Sequence, residues 1–243
     1  MITTIDGIII NSRNYSETSK ILDIFTKEYG IIGVLAKGCR NLKSNLRSVS
    51  DKLTYAKFTI YYKKDKLSLL SEASIISNFS NIKKDIEKIS YASFLLDLTN
   101  QVYKQNNDST LYDLLISALI KINDNFNPLA ITNIVELKYL DYLGVMPQLM
   151  GCAICGRKNV ITLSSDKGGF LCSNCHTNEP IISDKAIKLI RMYNAVDIKS
   201  ISSININDNS KYEINYFLNR YYDRYTGLYL KSKKFLEDLN KIG

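Results

Sequence analysis

Up to about residue 80 the apolar positions come in short runs, and beyond it they recur every three or four residues, so the chain passes from strand to helix there. Runs at residues 2–11 and 19–26 are followed by the turn Lys27-Glu28-Tyr29-Gly30 and a third run at 31–37. After a polar loop, Ala56, Phe58, Ile60 and Tyr62 alternate with Tyr55, Lys57, Thr59 and Tyr61, the period of a half-buried strand. Lys63 to Lys66 then turn the chain into a fifth run at 67–76. Five strands with one long connection predict a small closed barrel, of which the OB-fold is the commonest nucleic-acid-binding form. Beyond it, Ile82, Ile86, Ile89 and Leu96 predict a helix of about 24 residues from residue 80, ending near Gln105 to Asp108. A second helix is expected over 110–123, and a third with Asn127 as N-cap and Pro128 at its first position, stopped by Gly144 with Pro147 beyond. A helix from Ser183 and a tyrosine-rich one over 210–229 complete an α+β fold.

Charge changes this picture at one place. The 243 residues carry 32 Lys and Arg against 24 acidic residues, a net charge of +8. Between residues 37 and 66 stand nine basic residues and two acidic ones, so this stretch holds +7 of that total. A sequence rich in Ile, Asn, Lys and Tyr can gain lysine from an AT-rich genome alone, but a charge concentrated in one stretch of the chain points to a polyanion. Lys37, Arg40, Lys43 and Arg47 recur every three or four residues there, and Gly38, Asn41, Ser44 and Asn45 favour a loop over a helix. Tyr55, Tyr61 and Tyr62 could offer stacking faces or fill strand surface. The first residues lack a basic leader, and no apolar run reaches the ~18 residues of a membrane span, so a soluble cytoplasmic chain is expected.

Four of the five cysteines supply the candidate chemistry. Cys152 and Cys155 form one Cys-x-x-Cys pair and Cys172 and Cys175 another, separated by a stretch containing Gly168-Gly169. In a reducing compartment this spacing reads as four ligands for one structural zinc ion. A catalytic zinc would keep a position open for water, whereas four thiolates close the shell. The only histidine, His176, directly follows a ligand and reads as a solvent-facing residue at the knuckle, with exchange for Cys175 as the alternative. Phosphate-loop, dinucleotide-binding and serine-hydrolase signatures are absent, so the chain is expected not to be an enzyme. A zinc-dependent nucleic-acid hydrolase and a zinc-ribbon adaptor without annealing activity are the competing readings. Cys39, between Gly38 and Arg40, reads as a small neutral loop residue or, less simply, a reactive thiol.

The stretch RNYSETSKILDIFTKEYGIIGVLAKGCRNLKSNL, the segment VELKYLDYLGVMPQLMGCAICG, the hairpin DKGGFLCSNC and the ending LKSKKFL resemble the RecO family of bacterial recombination mediators, in that family's order, from residue 1 to about 239. The stretch SVSDKLTYAKF after Arg47 departs from a Leu-Gln-Pro-Phe-like run usual there. The resemblance implies an OB-fold domain over 1–78 and a helical domain over 79–243 with the zinc-binding segment at about 149–178. It implies binding of single- and double-stranded DNA, annealing of complementary strands, and help in loading recombinase onto coated single strands in DNA repair. It also implies the partners RecR and the acidic C-terminal tail of the single-stranded-DNA-binding protein, and a place at the bacterial nucleoid. On this reading Lys37 and Arg40 match a family segment and are the first candidate DNA contacts, followed by Lys43 and Arg47. Arg13 is a further candidate, with a salt bridge to Glu17 as the alternative. For the acidic tail, Lys138, Lys231, Lys233 and Lys234 are candidate rim charges on the helical part, or simply solvated surface.

Overall fold

The computed structural model of the protein describes residues 1–230, 232, 233 and 236. The expected charges Lys231 and Lys234 lie outside the described residues. Five strands, β1 (Ile2–Tyr15), β2 (Ser19–Thr26), β3 (Gly30–Ala36), β4 (Tyr55–Tyr61) and β5 (Ser68–Ser77), close a barrel in the order β1-β2-β3-β5-β4. The only parallel pairing among them is β3 with β5, where Val34 lies beside Ser68 and Leu35 beside Leu69. This is the OB-fold arrangement that the strand spacing predicts. β1 runs four residues further than its apolar pattern, because Ser12 to Tyr15 pair with Leu22 to Ser19 after a register shift near Ile9. Those outer positions are polar and carry no hydrophobic period, so the backbone pairing alone extends the strand.

The helical part begins with a short α1 (Ser80–Lys83) and, after a break, α2 (Ile86–Asn106). The single helix expected from residue 80 is thus two. Asp85 adopts extended geometry at φ −127° and ψ 119°, and its carboxylate accepts hydrogen bonds from the Glu87 and Lys88 amides, capping α2. Next come α3 (Thr110–Asn123) and α4 (Pro128–Tyr142), the latter capped by the Asn127 side chain on the Ala130 amide. A small hairpin, β6 (Thr162–Ser164) and β7 (Gly169–Leu171), carries the cysteine segment, followed by α5 (Asp184–Ala195) and α6 (Asp208–Tyr225). The tyrosine-rich helix ends at Tyr225 rather than near residue 229; Gly227, at φ 62°, turns the chain away.

Two apolar clusters organise the molecule. Ile5, Ile9, Leu22, Ile24, Val34, Phe58 and Ile60 fill the barrel. Ile8, Ile10, Phe25 and Leu53 point out of it and join the core of α2, α3 and α4. Phe25 packs its ring 5.0 Å from Tyr103 and 5.5 Å from Tyr112. No helix among the described residues is long and apolar enough to cross a membrane.

Candidate metal centre and nucleic-acid surface

The β6–β7 hairpin brings the two cysteine pairs together. The Sγ atoms of Cys152, Cys155, Cys172 and Cys175 all lie within 4.8 Å of one another, and Cys155 and Cys172 are 3.6 Å apart. That is too long for a disulfide (~2.0 Å). It matches the ~3.8 Å edge of a sulfur tetrahedron with metal–sulfur bonds of about 2.3 Å. Each knuckle folds back on itself: the Gly156 amide donates to the Cys152 carbonyl at 2.9 Å, and the His176 amide to the Cys172 carbonyl at 2.9 Å. Gly156 takes φ 75° to make the first turn. Gly169 is required for another reason, since a Cβ there would come within 2.3 Å of the Gln148 carbonyl oxygen.

Cys152 and Cys175 are pushed in opposite directions. Burial pushes the Cys152 thiol up, but amides of Cys155, Cys172 and Ile154 outweigh it and bring it down to about 6. Cys175 is pushed up to about 12, first by its hydrogen bond with the Cys155 thiol and then by burial and the other sulfurs. Packed this closely, the sulfurs share protons unless a cation supplies the opposing charge, which suits the donor set to a thiophilic metal ion. His176 is not part of the cluster: its Nε2 lies 2.6 Å from the Glu179 carbonyl oxygen. Glu179 accepts from the amide and hydroxyl of Thr177, both at 3.0 Å, and the amide bond foremost holds its carboxyl down at about 2.

The basic loop leaves the barrel after β3. Asn41 donates its amide to the Gly38 carbonyl, Ser44 to Asn41 and Arg47 to Ser44, each at 3.1 Å, so the loop is three successive turns with a period of three. Lys37, Arg40, Lys43 and Arg47 are all exposed on it. Its underside is fixed, with Cys39 only 1% exposed and Val49 and Leu53 each 4%. The Arg40 amide also donates to the Thr18 carbonyl at 2.8 Å, and Lys20 pairs with Asp51 at 2.6 Å, so the loop lies against the β1–β2 turn. A reactive Cys39 is excluded by that burial.

Other candidates fall differently. Arg13 pairs with Asp23 at 3.1 Å, not with Glu17, because β2 sets Asp23 across from Asn11 and within reach. Tyr55 stacks on Phe79 at 6.2 Å in the barrel–helix junction, and Tyr62 packs 4.5 Å from Tyr29, which leaves Tyr61 as the exposed member of the three. Lys138 donates to the Asn194 carbonyl at 3.4 Å in a hollow shared with Asp141 and Asp197. Lys233 pairs with Asp223 at 2.6 Å. Tyr212, Tyr216 and Arg220 form an exposed aromatic and cationic face on α6 that the sequence reading did not single out; their spacing of four was the available signal.

A family model described as "Recombination protein O N terminal" matches residues 1–79, and one described as "Recombination protein O C terminal" matches 83–234. The chain is 34% identical over 247 residues to "DNA repair protein RecO" of Bacillus cytotoxicus, covering 100% of this chain and 99% of that protein. It is 32% identical over 243 residues to the protein of the same name from Halalkalibacterium halodurans, covering 98% and 95%. Against the one from Listeria monocytogenes the identity is 32% over 241 residues, covering 97% and 94%.

Proposed function

The chain belongs to the RecO family of DNA repair proteins, and from that membership we propose that it is a recombination mediator that binds single- and double-stranded DNA and anneals complementary strands. The observation that carries the reading is the basic loop: four exposed cations on three fixed turns projecting from a closed OB-type barrel. Such a surface suits a phosphate backbone, whose contacts position a strand without reading its bases. Lys37, Arg40, Lys43 and Arg47 are the proposed contacts. Arg13 is a weaker one, since Asp23 already neutralises it.

Barrel (1–78) and helical part (79–243) are proposed as two domains with separate tasks. The helical part would meet RecR and the acidic tail of the single-stranded-DNA-binding protein as recombinase is loaded. That rests on family membership, because Lys138 and Lys233 are engaged with this chain's own acceptors and are not assigned as tail contacts. The proposed ion at Cys152, Cys155, Cys172 and Cys175 is a single zinc with a structural role, since four protein ligands leave no position for water or substrate. We further propose a non-enzymatic, cytoplasmic protein acting at the nucleoid. A strand-annealing assay tests the reading: the protein should accelerate pairing of complementary oligonucleotides, bare or coated with single-stranded-DNA-binding protein, without ATP. DNA binding without any annealing would instead favour a zinc-ribbon adaptor.

A further inference from the structure

A cavity of about 730 Å³ opens between α6 and the segment around the metal hairpin. Tyr212, Tyr216 and Arg220 follow one another at four-residue spacing along its α6 wall. The two tyrosine rings lie 6.0 Å apart at 23°, and they are 69% and 43% exposed. The Arg220 guanidinium sits 5.5 Å from the Tyr216 ring centre. These rings do not serve the core, because α6 packs through its other face with Ile214, Phe217, Leu218, Tyr221 and Tyr222. Across the cavity stands Lys167, and among the described residues neither Lys167 nor Arg220 forms an ion pair.

We propose that this groove holds one or two nucleotides of a single DNA strand, with bases stacked on Tyr212 and Tyr216 and the phosphate beside Arg220 and Lys167. The inference rests on the DNA-binding reading above and adds a second contact surface to the barrel loop. Stacked tyrosines offer a base platform that any sequence can use, and unpaired cations beside it suit phosphate. Asp166, Glu179 and Glu213 also line the cavity, but each is engaged within the chain: Asp166 pairs with Arg224 at 2.9 Å, Glu179 accepts from Thr177, and Glu213 accepts from Ser183 and Asn209. With one strand on the loop and another in the groove, the chain would hold the two partners that annealing joins.

Photocrosslinking tests it: the full chain is irradiated with a single-stranded oligonucleotide containing 5-iodouracil, and the adducts are located by mass spectrometry. Adducts are expected on Tyr212 or Tyr216 as well as on the barrel. Tyr212→Ala with Tyr216→Ala should lose the groove adducts and slow annealing about tenfold, the effect of losing about one stacked base. The double Phe variant should keep both properties, and all three proteins should hold the same metal content. Adducts confined to the barrel, together with full annealing by the double Ala variant, overturn the groove and leave the DNA reading standing. Labelling of these tyrosines by a photoreactive acidic peptide but not by DNA also overturns it. No DNA adduct anywhere on the chain overturns both readings.

Discussion

Glu136 is a carboxylic acid placed in a run of apolar neighbours on α4, and it is 4% exposed. Burial pushes its carboxyl up to about 8 from an ordinary 4.5, against the Lys233 ammonium, which pulls the other way. The folded state therefore keeps this proton to a higher pH than the unfolded chain does. Its contribution is at its best below about 4.5 and is lost as pH rises towards about 8, at about 1.4 kcal/mol per pH unit. Glu136→Gln removes the titration, so urea unfolding should show a gain under about 1 kcal/mol at pH 5 and of about 4 kcal/mol at pH 7.5. Equal effects at the two pH values would refute a neutral buried acid. At this scale the sequence was legible where chemistry is local. Asn127 caps its helix as its position predicts, and Ser183, expected as the start of its helix, is the cap just before it, since a cap needs only the next three amides. The partner of Arg13 was not legible, because strand pairing and not sequence distance selects Asp23.

Among the elements, the metal hairpin and the basic loop differ in what holds them. β6 and β7 are three residues each, too short to persist alone; Leu163, Phe170 and Leu171 bury them in the helical core, and the proposed four-sulfur site would tie the two knuckles together. Zinc binding in such sites is linked to folding by about 10 to 16 kcal/mol, and Cys172→Ala should release the metal and open this segment to protease while the barrel stays protected. A variant retaining one tightly bound zinc and full resistance would refute the ligand set. The basic loop needs no metal, being pinned by Cys39, Val49 and Leu53, so its charges can be removed without loss of its frame. If Lys37, Arg40, Lys43 and Arg47 each meet a phosphate of a single strand, the logarithm of affinity should fall with that of salt at about −0.7 per contact, roughly −2.8 in all. From 50 to 200 mM salt this weakens binding about 50-fold. The quadruple Ala variant should lose nearly that slope, weaken unrelated sequences equally and keep its metal; an unchanged affinity and slope would make the loop mere surface. The convergence of the four cysteines was legible because paired Cys-x-x-Cys spacing is what a four-sulfur site requires. The three or four residue spacing of the loop's cations was legible, but not its three successive turns, because turn hydrogen bonds place few demands on side chains beyond Gly38.

Across the whole molecule, the strand pattern revealed the barrel but also held a clue to what covers it. Ile8, Ile9 and Ile10 are consecutive and buried, although a strand in a barrel with one wet face should alternate. Ile9 fills the barrel while Ile8 and Ile10 face the helices, so the outer surface of β1 is an internal junction. Phe25 is its largest fully buried residue from the barrel strands, packed against Tyr103 and Tyr112, and Lys27 bridges the same gap to Asp113 at 2.8 Å. Cutting the chain near residue 78 would bare Phe25, so the barrel and helices are better tested together than as fragments. Phe25→Ala should cost about 3 to 5 kcal/mol, the usual loss for a buried phenyl ring. Since the ring belongs to the core shared with α2 and α3, slow-exchanging amides of both the barrel and those helices should lose protection together. Protection lost in β1 and β2 alone would mean that the two parts unfold independently. A shared loss would mean instead that the barrel and the helices open as one cooperative unit through this junction.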